Sequence, residues 1–102
     1  MIHVIATIEL IDTWRGAFLD EFRQLVKLVR QEQGCIEYGS AVDLGTEIAA
    51  LAPPRENVVT VIEKWESVAA LAAHLKAPHM ADYRGKVGHM LAGVRIQVLE
   101  PA

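Results

Sequence analysis

A chain of 102 residues is expected to form one domain, long enough to bury about two thirds of its unfolded surface and too short for a second core. With 52% hydrophobic and 23% charged residues it has a globular composition, with spare apolar surface that a partner subunit would absorb. The net charge of −3 excludes an electrostatic nucleic-acid binder, and no apolar run reaches the roughly 18 residues of a membrane span.

The first segment, residues 2–10, alternates: Ile2, Val4, Ala6, Ile8 and Leu10 fall on one face and His3, Ile5, Thr7 and Glu9 on the other. It reads as a strand, because it lacks the basic leader and cleavage site of a signal peptide, and a cytoplasmic location is expected. Its second face is only partly polar, which fits a sheet covered by helices on one side and by another subunit on the other. Asp12 or Thr13 is expected to cap a helix whose apolar stripe runs through Trp14, Phe18, Phe22, Leu25, Val26 and Val29. Gly34 supplies the permissive backbone that ends it.

Residues 35–43 read as a second strand, with Ile36, Tyr38, Ser40 and Val42 on one side. Cys35, the only cysteine, excludes an intrachain disulfide and is expected to pack as a small apolar group. Residues 44–56 contain Gly45, Pro53 and Pro54 and form a loop, for which three readings stand: a surface connection, a cover over a pocket, or a clasp on a neighbouring subunit.

A third strand spans 57–65. Ser67 is placed to cap a short helix with Val68, Leu71, Ala72 and Leu75 facing inward, broken where Ala77 precedes Pro78. Pro78 opens another helix carrying Met80, Tyr83, Val87, Met90 and Leu91 on one face. Gly93 closes it, and residues 94–99 form the last strand. The order is βαββαβ, so the expected fold is α+β and ferredoxin-like, a four-stranded antiparallel sheet with its helices on one face. The bare face then calls for a second copy of the chain.

Strand alternation puts Glu63 and Trp65 on one face, and the helix that follows can bring an imidazole back over them. Trp65 is either a core filler or part of a pocket wall, and His74 and His79 are either ordinary histidines or pocket residues. Glu63 is expected to find Arg84 or a histidine as its partner. Tyr38 and Tyr83 offer apolar rings with polar tips that could orient a phenolic ligand. The five-residue separation of His74 and His79 does not match a helical metal-ligand pair, and there is no phosphate-cradling or dinucleotide motif, so neither a metal nor another cofactor is expected.

The run Glu63-x-Trp65-x-Ser67, His74 and Pro78-His79-Met80, preceded by Gly34-Cys35-Ile36-Glu37-Tyr38, resembles the antibiotic biosynthesis monooxygenase (ABM) family, which includes quinol and anthrone oxygenases. The resemblance implies a homodimer whose two sheets form a shared α+β barrel, and a cofactor-independent oxidation of a small aromatic quinol, phenol or anthrone by dioxygen. His74 would then be the base or proton shuttle, and Trp65, Tyr38 and Tyr83 would shape the slot, with Glu63 either paired or part of its wall. Arg84 or His79 would stabilise a developing oxyanion. Two other readings are a non-catalytic dimeric ligand-binding or stress-response module, and a haem-binding or haem-degrading protein. Against the last, the only asparagine is Asn57, at the start of a strand, while haem-degrading relatives use an amide deep in the pocket.

Overall fold

The computed structural model describes residues 1–102. Its strands are β1 (Ile2–Leu10), β2 (Cys35–Ala41), β3 (Val58–Trp65) and β4 (Leu91–Leu99). Its helices are α1 (Arg15–Val29), α2 (Val68–Leu75) and α3 (Pro78–Val87), with one 3-10 turn over Gly88–Met90. The sheet order is β2-β3-β1-β4 and every pair is antiparallel, which is the ferredoxin-like α+β arrangement. No helix is long and apolar enough to cross a membrane.

The alternation in β1 has its expected result: Ile2, Val4, Ala6, Ile8 and Leu10 are all buried. Against them pack Phe18, Phe22, Leu25 and Val29 of α1, whose spacing of three and four keeps them on one stripe. Trp14 and Val26 are partly buried at the margin of this core. The expected cap on α1 is not made. The chain reverses at Thr13, which takes a left-handed φ of 74°, so Trp14 occupies the N-cap and no side chain caps the helix.

Three other boundaries move. Helix α1 ends at Val29, ahead of Gly34, which instead turns the chain into β2 with φ +84°. Strand β2 stops at Ala41, and a register shift between Cys35 and Glu37 breaks the alternation, leaving Ile36 half in water while Tyr38 is buried. Helix α3 ends at Val87 and β4 starts at Leu91, so Gly93 lies inside a strand, opposite Glu9.

Helix α2 is capped as expected, Ser67 Oγ accepting from the Ala70 amide at 3.1 Å. Its buried face differs: Leu71 and His74 point inward, while Val68, Ala72 and Leu75 are exposed. His74 therefore stands in the middle of that face. Gly34 helps to set this rotation, because a Cβ there would lie 2.6 Å from the Ala70 Cβ. Gly34→Ala is expected to destabilise the fold by about 2 kcal/mol or more, from left-handed strain and the collision together, and urea unfolding measures it.

The loop at 44–56 stays on the surface, with Leu44, Ile48 and Leu51 exposed. Its two ends are joined by Asp43 and Arg55, whose guanidinium donates to both carboxylate oxygens at 2.7 and 3.0 Å. Those hydrogen bonds hold the Asp43 carboxyl down at about 2. The helices do not cover β4: Val94, Ile96 and Val98 pair across to Ile8, Ala6 and Val4, yet each is about half exposed.

Candidate active site

Strand β3 delivers Val61, Glu63 and Trp65 to the helix side of the sheet, and antiparallel pairing sets Tyr38 of β2 directly opposite Glu63. Helix α2 then lays His74 on top. The His74 and Trp65 ring centroids are 4.6 Å apart, and Tyr38 lies 5.3 Å from His74. Phe22 of α1 stacks on Tyr38 at 5.4 Å. Three aromatic rings and one imidazole thus meet at the junction of β2, β3, α1 and α2.

Beside this cluster, between the helices and β1, β3 and β4, lies a cavity of about 350 Å³. Its wall is apolar except for Glu63, His74, Arg84 and the tips of Tyr38 and Tyr83. Larger hollows of about 410 and 440 Å³ exist, but they are more open grooves on the surface, with few apolar residues in their walls. The more sheltered, apolar one with a few converging polar groups is the better ligand site. The loop at 44–56 contributes nothing to its wall.

Five of the residues expected at a site line this cavity: Tyr38, Glu63, His74, Tyr83 and Arg84. Two do not. Trp65 is wholly buried behind His74, where it packs against the imidazole. His79 faces a separate surface groove, which it shares with Glu21, Asp82 and Lys86.

Glu63 is 7% exposed and takes neither Arg84 nor a histidine as its hydrogen-bond partner. Its Oε1 accepts from the Trp65 indole N–H at 2.9 Å, two residues away on the same strand face. Arg84 is drawn off by another acceptor, donating to the Leu75 carbonyl at 2.8 Å, where α2 leaves a carbonyl without an intrahelical partner. Burial pushes the Glu63 carboxyl above its ordinary value of 4.5, against the indole hydrogen bond and the nearby His74, both of which lower it. Burial likewise raises both tyrosines, so their hydroxyls stay protonated as donors.

The raised Glu63 value has a measurable consequence. A carboxyl with a higher value folded than unfolded binds its proton more tightly in the native state, so stability falls as pH climbs through the folded value. Glu63→Gln removes that ionisation and leaves an amide oxygen to accept from Trp65. The variant should melt several degrees above the parent at pH 8, by roughly 4 °C for each 1 kcal/mol, and show no such gain at pH 4. A gain of equal size at both pH values would mean that Glu63 carries no penalty for ionising.

The residue not anticipated is Glu32, in the turn after α1. His74 Nδ1 lies 2.9 Å from its Oε2 and His79 Nε2 lies 2.8 Å from the same oxygen. No periodicity marks it, since it belongs to no strand or helix. Only a carboxylate placed two residues before Gly34 could have drawn attention, and many turns have one. Cys35 is half-buried opposite Trp65, and burial together with Glu32 and Glu63 pushes its thiol up, away from the thiolate.

A ferredoxin-like sheet with helices on one face, and an apolar hollow beside a buried imidazole, defines an α+β domain with a candidate small-ligand site. A family model described as antibiotic biosynthesis monooxygenase matches residues 1–86. The chain belongs to that family. It is similar to a protein of Escherichia coli K12 described as a probable quinol monooxygenase, YgiN, with 38% identity over 89 residues, covering 85% of this chain and 83% of that one. Among solved structures, PA3566 from Pseudomonas aeruginosa superimposes with a TM-score of 0.81 at 27% identity, covering 99% of this chain and 93% of that one. A conserved protein from Methanosarcina mazei Go1 gives 0.84 at 20% identity, covering 99% and 92%, which bears on the fold alone.

Proposed function

We propose that this chain is a cofactor-independent monooxygenase that oxidises a small aromatic quinol, phenol or anthrone-like molecule with dioxygen. The observation that carries the reading is the cavity itself: His74 at an apolar, aromatic-walled hollow sized for a small ring system, with Glu63 and the tyrosines beside it. Membership of the family and the name of the Escherichia coli relative point the same way.

The chemistry needs little from the protein. Ground-state dioxygen carries two unpaired electrons and reacts slowly with closed-shell molecules, but an ionised quinol is electron-rich enough to transfer one electron to it directly. For a simple hydroquinone the balance closes without an outside reductant: the quinol and one dioxygen give a hydroxyquinone and one water. One oxygen atom enters the ring, the other leaves as water, and all four electrons come from the substrate. His74 takes the hydroxyl proton and returns it to the departing oxygen, which takes its second proton from the ring carbon that received oxygen and leaves as water. Trp65 supports His74 from behind, Tyr38 and Tyr83 donate to substrate oxygens, and Arg84, at the mouth, adds positive charge near the developing oxyanion. Glu63 accepts a hydrogen bond from the second hydroxyl.

The half-exposed Ile36 and Ile62 on the open sheet face, with Val94, Ile96 and Val98 on β4, are surfaces for a second copy of the chain, and we propose a homodimer. Multi-angle light scattering should give twice the monomer mass.

The test is oxygen uptake with a panel of hydroquinones, naphthoquinols and anthrones under ¹⁸O₂, with products read by mass spectrometry. One labelled oxygen per product is expected. Thermal stabilisation by the same molecules with no turnover would overturn the oxygenase in favour of a non-catalytic binding module. A Soret band that forms on adding haemin, again without turnover, would favour the haem reading.

A further inference from the structure

We propose that Glu32 is the positioning residue that makes His74 a base, with His79 clamping the carboxylate in place. This rests on the oxygenase reading above, in which His74 removes the proton from the substrate hydroxyl.

An ionised carboxylate only accepts hydrogen bonds, so an imidazole nitrogen 2.9 Å from Glu32 Oε2 must carry the proton. For His74 that nitrogen is Nδ1. A neutral imidazole has a single N–H, and fixing it at Nδ1 leaves Nε2 with a free lone pair. His74 is 1% exposed and forms part of the cavity wall, so the lone pair is offered where a substrate hydroxyl would lie. The opposite tautomer would set two acceptors face to face at 2.9 Å and place a proton where the base has to receive one. When Nε2 takes the hydroxyl proton, the O–H bond breaks, its electron pair stays on the substrate oxygen, and the new imidazolium lies against the Glu32 carboxylate.

The carboxylate is itself held. Its Oε2 also accepts from His79 Nε2 at 2.8 Å, and the Glu32 side chain is only 15% exposed. The backbone on either side is pinned by the Glu32 amide donating to the Val29 carbonyl and the Cys35 amide donating to the Glu32 carbonyl. The five-residue separation of the histidines, wrong for one helical face, suits this arrangement. Ala77 is extended, with ψ 141°, and breaks the helix before Pro78, so that His74 leaves α2 and His79 leaves α3 toward the same oxygen. Glu63, the other nearby carboxylate, is occupied by Trp65 and makes no hydrogen bond to His74.

The test uses the full chain with ¹⁵N-labelled histidine. Two-bond ¹H–¹⁵N correlation spectra of the free protein assign the tautomer of each ring. His74 should show Nδ1–H and a bare Nε2 in the parent, and should lose that preference in Glu32→Ala and Glu32→Gln, the second of which preserves side-chain size. In turnover, both variants should lower kcat about 100-fold with KM within about twofold, and His79→Ala should lower it about tenfold. An Nε2–H tautomer in the parent overturns the proposal. So does an unchanged tautomer with unchanged kcat in Glu32→Ala. If the parent shows the Nδ1–H form yet oxidises no quinol, the pairing stands and the oxygenase reading is what fails.

Discussion

His74→Gln is expected to lower kcat for quinol-dependent oxygen uptake by about 10²- to 10⁴-fold, the span that a positioned general base contributes. Glutamine fills much of the space of the imidazole and can still donate to Glu32, so the loss should come without collapse of the fold. Near-UV circular dichroism and the melting temperature serve as controls. Under the proposed mechanism the substrate is bound mainly by apolar walls, which the substitution leaves intact, so KM should change little. Unimpaired turnover by this variant would remove His74 from the chemistry.

The second large effect is on stability. Trp65 is wholly buried, lies against His74 and Tyr38, and donates to Glu63. Trp65→Ala should cost about 3–5 kcal/mol through the cavity it leaves, a large share of the 5–15 kcal/mol that holds an ordinary domain together. Trp65→Phe isolates the polar part. A ring remains, but the buried carboxyl of Glu63 loses its donor, at about 1–3 kcal/mol. Urea titrations at pH 7 give both figures. A cost below about 1 kcal/mol for Trp65→Ala would contradict its place in the core.

Much of this architecture could be read from the sequence because burial imposes a period. The alternation from Ile2 to Leu10 and the stripe from Phe18 to Val29 each have one solution that hides their apolar groups, and both form as expected. Helix α2 was harder: it is rich in alanine, and with so many small apolar residues its hydrophobic pattern does not choose a face. What chooses is tertiary, the missing side chain at Gly34 and the carboxylate of Glu32, so a histidine is buried while Val68 stays in water and Leu75 is left partly exposed at the edge of the hollow. The bulge at Ile36 has the same character, since one extra residue in β2 reverses a face that simple counting would continue.

The candidate site divides along similar lines. Residues projecting from regular elements, Tyr38, Glu63 and Tyr83 among them, were legible because strand and helix geometry carries their direction. Their pairings were not. Glu63 prefers the indole on its own strand face, and Arg84 is taken by a helix-end carbonyl only nine residues away. Such choices depend on distances of an ångström between groups that every periodicity treats as equivalent.

The Asp43–Arg55 pair joins the two ends of the longest irregular stretch just beyond the last β2–β3 rung, Ala41 with Thr60. What lies between the two residues contributes no side chain to the apolar hollow beneath the helices. That stretch is a suitable place to graft a peptide epitope, since none of its side chains touches the wall of the apolar hollow.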